Sequence, residues 1–440
     1  MKNNPAFYFI FFGLLTLFAG LFFGVIGGLQ YVLPDFLLQA IPFYKTRPLH
    51  VTLVITWIFS AAAGGIYYYL PEVVKAEFFS ARLYRLHFFL FVFTTLAILF
   101  SYFSGKFGGR EYLEYPPALA FPVAVSWLLL LINFFKTIAG KIKRWPVYLW
   151  MWATGIIGFL FTYLESYLWT LPFFRDNIIR DITVQWKSLG AMVGSWNMLV
   201  YGTAFYLMEK ISGNTKTAYA PLTFFFYFLG LTNLLFNWGH HTYILPAAPW
   251  IKYVSYVISM TELLILGNII LNWRKTLSTA AMHYYFLPYR FLMAADIWIF
   301  LNLALALVIS IPEINFYSHG THITVAHAMG TTIGINTMIL LASCFYIVSK
   351  DDENFFQQHH KIINSGFWIS NIALLVFWIS MLAAGLIKAL QDYPGASSDF
   401  NKIMNDMKPA FELFSLSGII LFTGMILLIY PLLKKIKSLL

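Results

Sequence analysis

The chain has 440 residues and a mass of 50.6 kDa; hydrophobic residues make up 60% of it and charged residues only 11%. A soluble globular chain is about one quarter charged, so this composition excludes a soluble enzyme and a disordered protein. The formal net charge is +10, but the basic residues stand in short segments between apolar stretches, where they indicate membrane topology and not nucleic-acid binding. The single cysteine, Cys344, excludes an internal disulfide and any cluster held by cysteines.

Twelve apolar stretches follow one another along the chain, and each is long enough to cross about 30 Å of hydrocarbon as a helix. They cover roughly residues 6–33, 48–70, 83–103, 117–137, 147–170, 185–210, 219–239, 250–273, 286–310, 321–348, 362–390 and 410–433. The connecting segments are short and are marked by proline or glycine. We therefore predict an all-α membrane protein that forms one integral membrane domain over residues 1–440, with twelve transmembrane helices in a lipid bilayer.

The distribution of lysine and arginine predicts the orientation of these helices. The stretch that follows Lys2 is too long for the apolar core of a cleaved signal peptide, so we interpret it as the first transmembrane helix. If the N-terminus is cytoplasmic, the majority of the 29 basic residues fall in cytoplasmic segments. The positive-inside rule then places both termini in the cytoplasm.

Several of the ten histidines lie inside the predicted helices or at their ends, where an ionisable group is costly unless it has a partner or a function. With the predicted topology, four of them lie at one depth near the outer side of the membrane: His50, His240, His241 and His327. This shared depth indicates a common site. Four others fall at cytoplasmic ends, where contact with solvent is expected: His87, His283, His359 and His360.

His327 and Met329 lie two residues apart early in the tenth predicted helix. Residues at this spacing differ by about 200° around a helix, so the two side chains should point to opposite flanks. Imidazole and thioether groups are both axial ligands of haem iron. One helix could therefore hold a haem on each flank, although a buried histidine beside an ordinary packing methionine is the simpler alternative.

His240 and His241 are adjacent at the end of the seventh predicted helix. Neighbours on a regular helix diverge by about 100°, so both imidazoles can reach one metal only where the helix departs from regular geometry. Gly239 and Pro246 favour such a departure. Paired histidines suit iron, copper or zinc, whereas a surface pair at a helix end is the alternative. His50, at the start of the second helix, would on its own be read as structural.

Taken together, these residues resemble a known family, the large catalytic subunit of bacterial nitric oxide reductase in the haem–copper oxidase superfamily. Five segments carry the resemblance: Tyr31–Pro34 with Arg47–His50, Tyr67–Glu72, Gly109–Glu114, Gly239–His241 and His319–His327. The resemblance implies a haem–copper oxidase-like bundle of twelve helices in a bacterial inner (cytoplasmic) membrane. It also implies two haems b, one low-spin and one high-spin, together with a non-haem iron or copper and a calcium ion.

The resemblance assigns roles to individual residues. His50 would be an axial ligand of the low-spin haem b, and His327 would be the proximal ligand of the high-spin haem. His240 and His241 would bind the non-haem metal opposite that haem. Glu262 stands where the family keeps an acidic residue beside the two metals, which implies a metal-binding and catalytic role. Glu111, together with a tyrosine of residues 67–69, would bind calcium between the haem propionates.

The chain also departs from the family's pattern. Met329 stands where the family has a second histidine, so the low-spin haem would be bound by His50 and Met329, which should raise its reduction potential. Leu189 and Val193 stand where the sixth helix of the family supplies a histidine and a glutamate to the non-haem metal. A second acidic position becomes Asn197. Three outcomes are open: Glu262 or water completes a weaker iron site, another metal binds, or none does.

The resemblance implies a membrane haem b oxidoreductase that reduces nitric oxide to nitrous oxide at a haem and a non-haem metal. A degenerate member that acts as a haem electron-transfer or gas-binding subunit is one alternative; other gas chemistry, such as NO dismutation or O₂ reduction, is a second. One cysteine is too few for a C-x-x-C-H haem attachment motif. Electrons would therefore come from a cytochrome c, a small haem c subunit or a quinol.

Overall fold

The computed structural model describes residues 4–261, 278, 282, 285–352, 354–391 and 399–440. Over these residues the chain is helical and contains no strand, apart from an isolated bridge between Arg110 and Leu113. The long helices are α1 (Pro5–Val32), α2 (Phe43–Val74), α3 (Ala81–Phe103), α4 (Pro117–Ile138, with a 3₁₀ first turn), α5 (Val147–Glu165), α6 (Ile178–Ser212), α7 (Pro221–Thr242), α8 (249–261 in the described part), α9 (Phe286–Ile309), α10 (His322–Asp351), α11 (Phe355–Gln391) and α12 (Phe400–Lys437). Short helices, Pro172–Arg175 and Pro312–Ser318, lie in two of the connections.

Ten of the described helices are long and apolar enough to cross a membrane, namely all of those numbered above except α6 and α8. Helix α6 has 35 residues, but charged side chains stand in its first three turns and again near its end. Helix α8 is described only as far as residue 261, so the predicted span 250–273 lies largely outside the described residues. The protein is thus an all-helical, multi-pass membrane protein.

Polar residues placed just before the apolar stretches determine where several helices begin. The side chain of Asn4 accepts a hydrogen bond from the amide of Ala6 at the start of α1. Ser80 caps α3 in the same way, and Asn177 caps α6. Such caps satisfy amide groups that have no partner within the helix, which matters most where the helix ends approach lipid.

Helix α10 lies in the middle of the bundle and contacts α2, α6, α9 and α11. Its apolar window is 83% buried, more than that of any other candidate span in the described chain. By contrast, α3 presents large apolar side chains outwards; Phe93 is 69% exposed and Phe100 is 71% exposed. This arrangement is that expected for a peripheral helix in contact with lipid around a protected central helix.

Helix α10 is not a regular α-helix. It is α-helical over His322–Met329, becomes a π-helix over Gly330–Thr337, and returns to α-geometry over Met338–Asp351. The sequence pattern did not predict this segment. Because π-turns are rare and occur frequently at functional sites, the segment directs attention to the residues immediately before it.

His87 is buried, so the expectation that it contacts solvent is wrong. Its side chain has no exposed surface and packs against the rings of Phe9 and Trp127. The hydroxyl of Tyr67, on α2, lies 2.9 Å from His87 Nδ1. The partner that stabilises His87 in the interior is thus on another helix, where sequence position gives no sign of it.

Candidate functional site

His50 is oriented by two glycines of α1. Its Nδ1 donates a hydrogen bond of 2.7 Å to the carbonyl oxygen of Gly20. A Cβ atom at position 24 would lie only 2.9 Å from the imidazole, so Gly24 is what lets α1 approach the ring this closely. With its proton on Nδ1, the imidazole presents the lone pair of Nε2 as a ligand atom.

His50 and Met329 face the same cavity. It has a volume of about 20 Å³, and its walls come from α1, α2, α10 and α12. The remaining lining is almost entirely apolar: Leu17, Leu21, Val54, Trp57, Ile58, Thr332, Ile333, Thr337 and Met425. An imidazole and a thioether thus meet across an apolar space between helices, which is a donor set that suits a six-coordinate haem iron.

His327 serves the other flank of α10. Its Nδ1 is buried and has no hydrogen-bond partner among the described residues. The imidazole lies close enough to His240 and His241, at the end of α7, to interact with both electrostatically. Met329 faces the cavity beside α1 and α2, so two side chains separated by one residue face different neighbours.

The pair His240 and His241 lies where α7 changes geometry. Residues Asn237–Thr242 form a 3₁₀ turn, so the predicted departure from a regular α-helix is confirmed. The two imidazole centroids are 4.2 Å apart. Nδ1 of His240 donates to the side-chain oxygen of Asn237 at 3.2 Å, and this hydrogen bond leaves Nε2 free to bind a metal.

The ring of Trp186, on α6, stacks on His241 with a centroid distance of 5.1 Å and an angle of 12°. His319, in the connection before α10, packs edge-on against both rings, at 5.7 Å from His241 and 5.9 Å from Trp186. Burial lowers the pKa of His319 below its ordinary value of 6.5, which keeps its imidazole neutral at neutral pH. His240, His241 and His319 thus form a neutral imidazole cluster closed by an indole ring.

The α6 side of this cluster offers no ligand atom. Leu189 and Val193 are partly buried and pack against the hydrophobic core. A Cβ atom at Gly190 would lie 2.8 Å from Trp238, so backbone lies directly against this part of α7. The described residues contain no group of three or more His, Cys, Asp or Glu side chains that could hold a metal ion. Glu262 lies outside the described residues.

Glu111 lies near the start of α2, in the connection between α3 and α4. Arg47 donates to Glu111 at 2.5 Å and to Glu114 at 3.0 Å, so one guanidinium neutralises both carboxylates. The expected tyrosine partner is wrong, because Tyr67 stands 20 residues beyond Arg47 on the same helix, which amounts to about 30 Å. This ion pair leaves Glu111 poorly placed to hold a calcium ion, so the residues do not fit that group.

The family of the chain follows from its sequence. A family model described as "Cytochrome C and Quinol oxidase polypeptide I" matches residues 4–420, which is nearly the whole chain. The chain belongs to this family. It is therefore a member of the haem–copper oxidase superfamily, whose members normally bind haems and a metal centre.

Relatives of the chain include both reductases and oxidases. It is 25% identical to a nitric oxide reductase polypeptide of Stutzerimonas stutzeri over 454 aligned residues, covering 96% of this chain and 92% of the relative. It is 23% identical to "Cbb3-type cytochrome c oxidase subunit CcoN1" of the same organism, covering 90% and 86%. A cryo-EM structure of a heme-copper terminal oxidase dimer has a TM-score of 0.74 at 15% identity, covering 99% of this chain and 84% of that one. The last comparison confirms the haem–copper oxidase fold.

The structure also contains site residues that the sequence analysis missed. His319 joins the imidazole cluster, although its segment was used only as part of the family resemblance. Asn302, on α9, donates to the backbone oxygen of His327 at 3.0 Å. Asp296, also on α9, is a carboxylate within a membrane span. The general rule that polar groups in spans serve a function could have identified Asn302 and Asp296 from sequence.

Proposed function

We propose that the chain is the haem-bearing subunit of a membrane oxidoreductase similar to nitric oxide reductase. The reaction combines two NO, two electrons and two protons into one N₂O and one H₂O. One observation carries the proposal: on α10, Met329 meets His50 across a cavity, whereas His327 lies beside the adjacent pair His240 and His241. This arrangement supplies separate positions for electron entry and for gas chemistry, and both are served by one helix.

His50 and Met329 would hold the low-spin haem. Haem bound in this way accepts and passes on single electrons, and methionine ligation raises its potential relative to two histidines. The chain's own contribution is orientation. Gly20 fixes the imidazole ring through its carbonyl oxygen, and the apolar walls of the cavity keep water from the ligand atoms.

His327 would hold the high-spin haem, and His240 and His241 would face the open side where gas binds. The orphaned Nδ1 of His327 and that of His241 support a site built for further ligands, because a buried polar atom is costly without one. The stacked Trp186 fixes the ring plane of His241. A dry, preorganised pair of neutral imidazoles suits Fe(II) or Cu, and the metal would hold a substrate atom.

The missing donors on α6 favour a second candidate function. Leu189 and Val193 cannot bind metal, so Glu262 is the residue that would complete a two-histidine, one-carboxylate set and serve in catalysis. If Glu262 does not bind, the chain acts as a haem electron-transfer or gas-binding subunit. Calcium at Glu111 is left out of the proposal, because Arg47 already neutralises that carboxylate.

The proposal includes twelve spans with both termini in the cytoplasm of a bacterial inner membrane. The positive-inside distribution supports this topology, and α6 and α8 would be the two spans added to the ten apolar ones. Electrons would come from a separate donor, either a cytochrome c, a small haem c subunit or a quinol, because the chain has one cysteine and no attached haem c.

The test is anaerobic NO consumption by the purified, reduced protein, with N₂O measured alongside. We expect one N₂O for every two NO consumed, and His327→Ala should abolish both NO consumption and carbon monoxide binding. His360→Ala, at an exposed position, is the matched control and should retain both. Normal NO turnover in His327→Ala would contradict the proposal. Carbon monoxide binding without turnover in the natural protein would favour the gas-binding alternative.

A further inference from the structure

The π-helical segment of α10 begins directly after the proposed iron ligands. It spans Gly330–Thr337, and Met329 is the residue before it. A π-turn accommodates one residue more than an α-turn, and one residue corresponds to about 100° of rotation around a helix. The direction in which His327 and Met329 point therefore depends on whether this segment stays π-helical.

Asn302 of α9 holds the junction between the two geometries. Its Nδ2 donates to the backbone oxygen of His327 at 3.0 Å and to Oγ1 of Thr331 at 2.7 Å. Thr331 in turn donates to the same oxygen of His327 at 3.1 Å. Asn302 is only 1% exposed, so these hydrogen bonds are protected from water. The carbonyl group of a proposed ligand residue thus has two side-chain donors, one from each helix.

Two glycines let α9 lie this close to the π segment. A Cβ atom at Gly330 would come within 2.3 Å of the side-chain oxygen of Asn302, and one at Gly334 within 2.4 Å of the Trp298 ring. These contacts are four residues apart on each helix, so α9 runs along the segment for a full turn. Trp298 is itself anchored, because its Nε1 donates to Asn371 of α11 at 3.2 Å.

We infer that Asn302 is a positioning residue that keeps the segment π-helical and thereby directs His327 and Met329 to opposite flanks of α10. This inference rests on the proposed function of those two residues as iron ligands. If the segment relaxed to an α-helix while Met338–Asp351 stayed in place, the ligand-bearing end would shift by one residue. Gly330 would then take the position of Met329 and Ala328 that of His327, and neither can bind iron.

The test compares Asn302→Ala with Asn315→Ala. Asn315 is also buried, and its Nδ2 donates to a backbone oxygen, that of Ile309, at 2.9 Å, but it lies away from the π segment. Both variants therefore lose one buried amide side chain. The readouts are the haem content, the low-spin spectrum with the near-infrared band of methionine-ligated ferric haem, the reduction potential, and carbon monoxide binding. None of these readouts requires NO turnover.

We expect Asn302→Ala to lose most of the low-spin spectrum and of its carbon monoxide binding, whereas Asn315→Ala keeps both. Thr331→Val, which removes the second donor to His327 without changing side-chain size, should shift the low-spin signal in the same direction and covers the case in which Asn302→Ala does not fold. Unchanged spectra and potential in whichever of the two variants folds would overturn the inference. A natural protein without two haems would instead contradict the proposed function, so the two failures are distinguishable.

Discussion

Gly24→Ala tests the orientation of His50 directly. The added Cβ atom would lie 2.9 Å from Nδ1 and Cε1 of His50, whereas non-bonded atoms attract best at about 3.5–4.0 Å. The imidazole would therefore have to move by roughly 0.6 Å or more. It cannot do so freely, because its hydrogen bond to Gly20 is already 2.7 Å long. The ring and the α1 backbone compete for the same space.

The magnitude follows from the cost of overpacking a well-packed interior, which is about 1–3 kcal/mol. If the ring gives way, this cost appears as a loss of about 5- to 150-fold in the equilibrium constant for haem at the His50 site. Gly27→Ala is the matched control on the same helix. Its Cβ atom would lie 3.4 Å from Thr46, an ordinary contact, and alanine should gain about 1 kcal/mol as the better helix former.

The assay is the low-spin haem spectrum per protein, with the reduction potential and the melting temperature measured on the same samples. We expect Gly24→Ala to lose low-spin haem or to lower its potential, and Gly27→Ala to match the natural protein. A Gly24→Ala variant with a full low-spin signal at the natural potential would refute the argument that His50 is an iron ligand held by α1.

Three further predictions concern ligands and protonation. Met329→His should give bis-imidazole spectra and a lower potential; no change in either would exclude Met329 as a ligand. Leu189→His combined with Val193→Glu should raise metal occupancy and NO reduction together, measured by metal analysis and N₂O yield; stoichiometric metal and rapid NO reduction in the natural protein would show that those donors are not needed. Burial raises the pKa of Glu114 above 4.5, so the folded protein holds a proton that the unfolded chain has lost, and stability should fall as pH rises from 4.5 through the folded-state pKa. Glu114→Gln keeps an oxygen acceptor for Arg47 and should flatten that fall in a thermal-unfolding pH series; an unaltered slope would exclude Glu114 as its source.

The membrane helices could be predicted from sequence because a bilayer imposes one length and one polarity on every span. The predicted stretches 48–70 and 286–310 fall on α2 and α9, for example. Polar partners were harder to predict. His87 is buried because Tyr67 reaches it from another helix, and hydropathy along one segment contains no information about such a contact.

The geometry of α10 could not be predicted for a similar reason. The spacing of His327 and Met329 indicated opposite flanks, which agrees with their different neighbours. The π segment that follows depends on Asn302 and Trp298 of α9, which fit only because positions 330 and 334 are glycines. Sequence alone shows two glycines at a spacing of four residues, and this pattern is equally compatible with plain helix packing.

The haem content of the purified protein tests the central claim most directly. A pyridine haemochrome assay, combined with the spectrum of the reduced protein before and after carbon monoxide, counts the haems and separates the two types. Opposite flanks of α10 served by Met329 and His327 predict two haems b per chain, one of which binds carbon monoxide and one of which does not. A protein with no haem, with one haem, or with two haems that both bind carbon monoxide would contradict the account.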